Sequence, residues 1–260
     1  MAAPRPIESV STLELYERWA QVYDIDGNIL QAVDDLYFTE LLEEAFHLRN
    51  KSDQLTIFEL GCGTGRNTAK LLDTKFASQI SNIYAVDFSS AMLSAAKERC
   101  NMALGKLDPR LRPSIEFYQY DALSPRSLPL AENIDIVVST LVLEHLPLDV
   151  FFDRVKGFLR KDGKGVLLLT NMHPDMGKRS QAGFLDEKSG QKIQGTSYAH
   201  EIREVVGAGK KFGFELCGEV KERAVAADDV GEGKILGRRG HKWIGWNVWF
   251  SCHMRLKEEA

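Results

Sequence analysis

Glycine occupies every second position from 61 to 65, within the segment Glu-Leu-Gly-Cys-Gly-Thr-Gly that ends an apolar run. Such glycines let the backbone of a turn approach a ligand closely. Asp87 ends the next apolar run, where its carboxylate can accept hydrogen bonds from both hydroxyls of a ribose. A dinucleotide fingerprint counted from Gly61 would need glycine at position 66, which is Arg66. The two features therefore predict a site for a nucleoside, without the usual diphosphate cradle.

Strand-like and helix-like segments alternate around this turn and must position it. Helical periodicity covers residues 12–23, 29–48, 66–72, 89–104, 148–159 and 201–211. Apolar runs predict strands at 55–60, 83–86, 115–118, 134–139, 165–170, 214–220 and 243–254. Continuous Val, Ile and Leu runs are typical of strands covered on both faces, as in a parallel sheet. No helical pattern joins the last two strands, which predicts that they are antiparallel neighbours.

Two polar segments interrupt this alternation. Residues 175–196 predict a long loop or a cap over the sheet edge, and residues 227–240 predict a second loop. The basic residues near the second loop are interspersed with acids, which favours a solvated loop over a grip on an acidic substrate. In the final predicted strand, two-residue alternation places Trp246 opposite Trp243 and Trp249.

Composition excludes several classes of protein. The 260 residues are 44% hydrophobic and 27% charged, as in a soluble globular enzyme. The net charge of -4 offers no broad positive field for nucleic acid or anionic lipid. Four widely separated cysteines indicate reduced thiols, with neither a metal site nor a disulfide framework, and favour a cytoplasmic protein. No signal peptide, transit peptide or membrane span is predicted.

Four segments resemble, in order, the motifs of class I S-adenosylmethionine-dependent methyltransferases. They are Glu-Leu-Gly-Cys-Gly-Thr-Gly at 59–65, Ala-Val-Asp-Phe-Ser at 85–89, Tyr-Asp-Ala at 120–122 and Leu-Val-Leu-Glu-His-Leu at 141–146. Trp-Ala-x-x-Tyr-Asp at 19–24, with Tyr-Ala-His at 198–200 before Gly-Phe-Glu-Leu at 213–216, resembles the small-molecule branch, which includes quinone and secondary-metabolite enzymes.

This resemblance implies a Rossmann-like α/β fold. The expected sheet has seven mostly parallel strands, an antiparallel last strand and helices on both faces. It further implies one domain over residues 1–260, with a helical lid at 1–50, a cofactor-binding core at 51–172 and substrate-side loops and strands at 173–260.

The resemblance also implies that the cofactor is S-adenosylmethionine and the product S-adenosylhomocysteine (SAH). Phe88 and Met92 would contact the adenine faces, Asp121 would accept from the adenine amino group, and Thr140 would meet the methionyl amine. Core packing is the alternative for the first two, and a role in a turn for Asp121. The complete set of implied cofactor residues is Trp19, Glu59, Gly61, Gly63, Gly65, Asp87, Phe88, Met92, Asp121, Ala122 and Thr140.

Methyl transfer needs no metal, but a hydroxyl, thiol or acidic carbon acceptor needs a base. His145 and His173 directly follow the fourth and fifth predicted strands, and His200 precedes the sixth. We expect one or none of them to act as the base. The carboxyl ends of parallel strands border the ligand crevice, which favours the first two. Glu144 is interpreted as a surface charge.

Tyr16, Trp19 and Tyr23 lie on adjacent turns of the first predicted helix. We expect an aromatic lid over the cofactor, with core packing as the alternative. Tyr16 and Tyr23, with His145 and His173, are the predicted substrate-binding residues.

The predicted function is methyl transfer from S-adenosylmethionine to O, N, S or C of a small organic acceptor, by a cytoplasmic monomer or homodimer that binds no nucleic acid. The alternatives are a protein or RNA methyltransferase, an NAD-dependent oxidoreductase and a cofactor-binding module without catalysis.

Overall fold

A large central sheet organises the computed structural model, which describes residues 6–49, 54–129 and 133–258. The strands among these residues are β1 (Ile7–Ser9), β2 (Leu55–Leu60), β3 (Ile80–Asp87), β4 (Ser114–Gln119), β5 (Ile136–Thr140), β6 (Val166–Met172), β7 (Gly183–Leu185), β8 (Lys192–Gln194), β9 (Phe214–Ala224) and β10 (Asn247–Leu256). Seven of them form the central sheet in the order β4-β3-β2-β5-β6-β10-β9. Only β10 runs against its neighbours β6 and β9, so the predicted, mostly parallel seven-stranded sheet is confirmed.

Helices connect the strands and cover both faces of the sheet. They are α1 (Thr12–Trp19), α2 (Ile29–Arg49), α3 (Arg66–Leu71), α4 (Thr74–Ala77), α5 (Ser90–Lys106), α6 (Leu148–Phe158), α7 (Pro174–Gly177) and α8 (Ile202–Lys211). No helix in the described ranges is both long enough and apolar enough to cross a membrane.

The central strands are buried because helices cover the side chains that point to either face. Every residue of β5 and β6 is buried. Successive side chains of a strand point to opposite faces, so Ile57 and Ile136 join one core with α2, whereas Phe58 and Val137 join a second core with α6. This double burial explains the uninterrupted apolar runs in the sequence.

The segment 175–196 is more ordered than its composition predicts. It contains α7, β7 and β8, and the last two form a small sheet with β1 in the order β1-β8-β7. This sheet packs on α1 through a separate apolar cluster that includes Leu15, Trp19, Phe184 and Ile193. Of the two alternatives predicted for this segment, the long loop was wrong, and the cap over the sheet edge stays a prediction. The strands were missed because each is only three residues long, and β8 pairs with β1, which is far away in the sequence.

The last strand begins later than predicted. Residues Arg238–Trp243 form a 3-10 helix, and β10 starts at Asn247. Trp243 and Trp246 therefore precede the strand, and the prediction that strand alternation sets their faces was wrong. Trp249, within β10, is buried and stacks on Tyr37 with 5.1 Å between ring centroids.

Candidate active site

A cavity, here called the first chamber, opens at the carboxyl ends of β2, β3 and β5, where parallel sheets bind ligands. It encloses about 770 Å³ of empty space out to its mouth. Seven predicted cofactor residues line it, together with three predicted substrate residues: Gly61, Gly63, Asp87, Phe88, Asp121, Ala122, Thr140, Tyr16, Tyr23 and His145.

The three glycines after β2 all adopt positive φ but serve different purposes. A Cβ on Gly61 (φ 76°) would lie 2.2 Å from Cγ2 of Val142, and one on Gly65 (φ 76°) would lie 2.9 Å from Cα of Ala96. These two glycines permit close packing of the turn. At Gly63 (φ 54°) a Cβ would meet nothing within 4 Å. Gly63 therefore presents bare backbone to open space, as a ligand held by its main chain requires.

Asp87 is fixed at the chamber wall by the turn itself. Its carboxylate accepts hydrogen bonds from the backbone amides of Gly63 and Ser89, both at 2.9 Å. Burial raises its pKa to about 6, against the partial opposition of these amides. Asp87 is therefore mostly ionised at neutral pH, and each carboxylate oxygen keeps a lone pair for a ligand hydroxyl.

A buried polar network supports the far side of the chamber. The Thr140 hydroxyl accepts from Nδ2 of Asn67 at 3.0 Å, and Asn67 also donates to Asp34 at 2.9 Å. The fully buried Asp34 carboxylate accepts four hydrogen bonds in all, donated by Arg66, Asn67, Thr170 and Trp249. Position 66, where a dinucleotide fingerprint would need glycine, thus holds Arg66, whose guanidinium forms an ion pair with Asp34 at 2.8 Å.

Four predicted cofactor residues lie outside the lining of the first chamber. Gly65 packs on α5, as described above. Glu59 is buried behind the turn and accepts from the Thr68 hydroxyl at 2.5 Å, and burial raises its pKa to about 7. Met92 is fully buried in the apolar cluster beneath α1, a position that favours core packing. Trp19 faces a neighbouring cavity and donates to Asp26 at 2.9 Å.

This neighbouring cavity, here called the second chamber, encloses about 690 Å³ of empty space. Tyr16, Tyr23 and Leu141 line both chambers and form the seam between them. Leu141 has a positive φ of 57°, a conformation that is strained for a side chain of this size. The second chamber is further lined by large apolar side chains, Trp19, Met172, Met176 and Trp243, and by charged ones, Asp26, Glu144, Arg239 and Lys242.

His145 is the predicted histidine that the structure brings into the first chamber. Its Nε2 lies 2.7 Å from the Tyr16 hydroxyl, with which it shares a hydrogen bond. Burial lowers its pKa to about 4, so the ring is neutral at physiological pH. A neutral imidazole held by a tyrosine can position a group, but it is a weak base for activating an acceptor.

The other two predicted histidines line neither chamber. Nδ1 of His173 accepts from the Asp175 amide at 3.0 Å and caps α7, while its Nε2 lies 2.8 Å from Oε2 of Glu222. The His200 ring lies 2.9 Å from the Leu146 carbonyl and stacks on Tyr198. These contacts explain both side chains structurally.

Glu144 is buried, so its interpretation as a surface charge was wrong. The residue is only 4% exposed, and its Oε2 has no hydrogen-bond partner. Burial raises its pKa to about 7. The missed signal lies in the sequence around it, since Glu144 follows a fully buried strand and precedes another apolar helix. Within the described ranges no group of three or more His, Cys, Asp or Glu side chains is placed to hold a metal ion.

Comparison with known proteins decides the family. A family described as "Methyltransferase domain" matches residues 58–167. An uncharacterised methyltransferase of Emericella nidulans is 41% identical over 268 residues, covering 94% of this chain and 90% of its own. The chain belongs to the methyltransferase family. This membership confirms the predicted enzyme class, a methyltransferase dependent on S-adenosylmethionine.

Several solved structures resemble this methyltransferase in fold, although their sequences differ widely from it. The DhpI-SAH complex is 17% identical with a TM-score of 0.57, and covers 95% of this chain and 96% of its own. Magnesium protoporphyrin IX methyltransferase of Synechocystis with bound SAH is 13% identical with a TM-score of 0.52, over 95% and 88% of the two chains. The [4+2]-cyclase SpnF is 15% identical with a TM-score of 0.59, over 99% and 100%. A cyclase among these neighbours illustrates that the site, and not the fold, determines the reaction.

The first chamber of the methyltransferase offers the groups that an adenosyl ligand needs. Asp87 can accept from the ribose diol, Phe88 supplies an aromatic face, and Gly63 leaves open space beside its backbone. The residues present therefore fit the cofactor.

Proposed function

We propose that this methyltransferase transfers a methyl group from S-adenosylmethionine in the first chamber to a small organic acceptor in the second. The cofactor, when bound, supplies a methyl group that is already activated by a positively charged sulfur. The observation that carries the proposal is the seam of Tyr16, Tyr23 and Leu141, which gives the two chambers a common wall. A donor and an acceptor on either side of one seam can meet without crossing bulk water.

The second chamber favours a small molecule over a macromolecule. It is a concave site between the seam, the residues 180–183 and the 3-10 helix Arg238–Trp243, rather than an extended surface. Aromatic and thioether side chains form much of its wall, as is typical of pockets for organic molecules. The net charge of -4 offers no general attraction for RNA.

Some residues of the chain would hold the cofactor, and others would shield the seam from water. Asp87 and the backbone near Gly63 would hold the adenosyl part of the cofactor, and Thr140 would lie near its methionyl end. Tyr16, oriented by its hydrogen bond with His145, would keep water from the seam.

We propose that the three-part organisation expected from the sequence applies, with the helical segment 1–50 as a lid. Tyr16 and Tyr23 of that segment line both chambers, and Trp19 stacks on Phe184 of the small sheet with 5.5 Å between ring centroids. Tyr16 and Tyr23 of this aromatic layer thus lie along the wall that the two chambers share, which supports the proposal of a lid. All four cysteines are free thiols, which favours a reducing compartment such as the cytoplasm.

Titration calorimetry and methyl transfer from labelled S-adenosylmethionine test the proposal. We expect the purified protein to bind S-adenosylmethionine and not NADH, and to label a fraction of small molecules extracted from cells. Label in protein or RNA would instead favour a macromolecular acceptor. Binding of the cofactor with no SAH formed from any extract would favour a binding module or a non-methylating reaction.

A further inference from the structure

Glu144 is a buried carboxyl group in the second chamber that no structural contact explains fully. Its Oε2 is buried and lacks a partner, although most buried polar atoms in proteins have one. A buried carboxylate oxygen without a partner destabilises a fold, so the presence of one at a ligand cavity is a reason to ask what it contacts there.

The backbone around Glu144 fixes the position of this carboxyl. Residues Leu143–His145 form one turn of 3-10 helix directly after β5. The Glu144 amide donates to Oδ1 of Asn171 at 3.2 Å, and its carbonyl accepts from the Tyr198 amide at 2.7 Å. Both backbone groups are thereby anchored to neighbouring segments, so the side chain is held on a rigid support, as a group that acts in catalysis must be.

The surroundings of Glu144 keep the pKa of its carboxyl group close to neutral pH. Burial raises its pKa to about 7, and the backbone amides of Met172 and of Glu144 itself oppose the rise. The charged or titratable side chains that interact with it or share its chamber are Asp34 of α2, Tyr16 of α1, Tyr23 of the following turn, Asp26, Arg239 and Lys242. A base with a pKa near the working pH is well suited to general base catalysis.

Resting on the proposed function, we propose that Glu144 is the general base of the reaction and that the acceptor is an aromatic alcohol bound in the second chamber. The flat apolar walls of Trp19, Tyr23 and Trp243 suit an aromatic ring. A phenolic hydroxyl would donate to the unpaired Oε2. The neutral His145, already engaged with Tyr16, is not needed as the base.

The proton and electron balance of the step is complete. The acceptor hydroxyl gives its proton to Glu144, the freed oxygen lone pair forms the bond to the methyl carbon, and the electron pair of the carbon–sulfur bond stays on sulfur. Glu144 afterwards releases the proton to water.

Binding of two probes to the SAH-saturated protein tests the acceptor class by calorimetry at pH 8. 4-Methylphenol and 1,4-dimethylbenzene have nearly the same shape, but only the first can donate to Glu144. We expect the wild-type protein to prefer 4-methylphenol by at least about tenfold, since hydrogen bonds to charged groups are strong. The preference should fall at least several-fold in E144Q, because the neutral amide oxygen of Gln accepts a weaker hydrogen bond than a carboxylate, and should persist in E204Q, a matched change of an exposed glutamate on α8. Equal affinity of the wild-type protein for both probes, or binding of neither, would overturn the acceptor class.

Infrared titration and methyl transfer to a panel of phenols test the base. Burial raises the pKa of both Glu59 and Glu144 to about 7, so both contribute to a carboxylic acid band with a midpoint near pH 7. This band should be clearly weaker in E144Q than in the wild-type protein. E144Q should transfer methyl groups at least about a hundredfold more slowly at pH 8, with the cofactor dissociation constant unchanged, and formate should partly restore E144A. Wild-type transfer that E144Q leaves intact, or a band whose amplitude near pH 7 is the same in E144Q, would refute the assignment of Glu144. Failure of the wild-type protein to bind S-adenosylmethionine would instead refute the proposed function.

Discussion

Replacement of Asp87 by Asn tests the nucleoside site most directly. Two backbone amides already occupy part of the carboxylate, at 2.9 Å each, and leave one lone pair on each oxygen for the ribose diol. Asn removes the charge and one of the two acceptors, so one charge-assisted hydrogen bond is lost and the other is weakened. The expected loss is about 2–3 kcal/mol, or a dissociation constant about 30- to 150-fold larger.

The pH dependence of S-adenosylmethionine binding provides a second test of the role of Asp87. The pKa of Asp87 is raised to about 6, so the accepting carboxylate is present above that pH and is lost as the pH falls through it. We expect the wild-type dissociation constant for S-adenosylmethionine to be about tenfold larger at pH 5 than at pH 7.5. In D87N this dependence should be largely absent.

Calorimetric titration of both proteins with S-adenosylmethionine, from pH 5 to pH 8, provides the assay. The Asn amide would face one of the two backbone N–H groups, so urea unfolding must verify that the variant is folded at each pH. D108N, a change at the cap of the short 3-10 helix Pro109–Leu111 that lines neither chamber, is the control. An unchanged dissociation constant in D87N, or an identical pH dependence in the two proteins, would remove Asp87 from the site.

Three further substitutions test individual parts of the structure. G61A should lower the free energy of unfolding by more than about 2 kcal/mol, because its Cβ would lie 2.2 Å from Val142, whereas G63A should lower it by only about 1 kcal/mol. Urea unfolding compares the two variants, and equal losses would contradict the packing argument. D34A should lower the free energy of unfolding by about 3–5 kcal/mol in the same assay, because four donors lose a buried acceptor. D35A, which removes the half-exposed neighbouring carboxylate, should lower it by less than about 1 kcal/mol. M92A should cost about 2–5 kcal/mol in stability yet leave the cofactor dissociation constant within about threefold; a tenfold weakening would assign Met92 to the adenine site after all.

The central sheet could be predicted from the sequence because local signals determine it. The central parallel strands β5 and β6 are rich in Val, Ile and Leu and are buried throughout, and the glycine turn after β2 marks where the ligand crevice must lie. The small sheet could not be predicted, because β1 and β8 pair across most of the chain and three residues carry too little periodicity. The start of β10 was missed for a related reason, since Trp243 at the end of the preceding 3-10 helix and Trp246 just after it resemble residues of a strand.

The candidate site was predicted unevenly for a physical reason. Cofactor residues such as Gly63 and Asp87 lie on the turns between strands and helices, so their place in the chain fixes their place in the fold. The histidines could not be separated in the same way, because the partners that hold His173 and His200 are set by tertiary contacts. Glu144 was missed because a glutamate is ordinarily exposed, and this expectation outweighed the apolar residues on either side of it in the sequence.

Three buried carboxyl groups with raised pKa values lie in or beside the two chambers, and their combined negative charge bears on the reaction. Burial raises the pKa of Glu59 to about 7, of Asp87 to about 6 and of Glu144 to about 7. Mutual repulsion contributes, since Asp87 raises the pKa of Glu59, while the nearby cation Arg66 is already paired with Asp34. A positively charged donor relieves this repulsion, whereas its neutral thioether product does not. We therefore expect the ratio of the SAH dissociation constant to that of S-adenosylmethionine to rise from pH 5 to pH 8, as more of these groups ionise. Calorimetric titration with both ligands checks this, and a ratio that does not change with pH would contradict it.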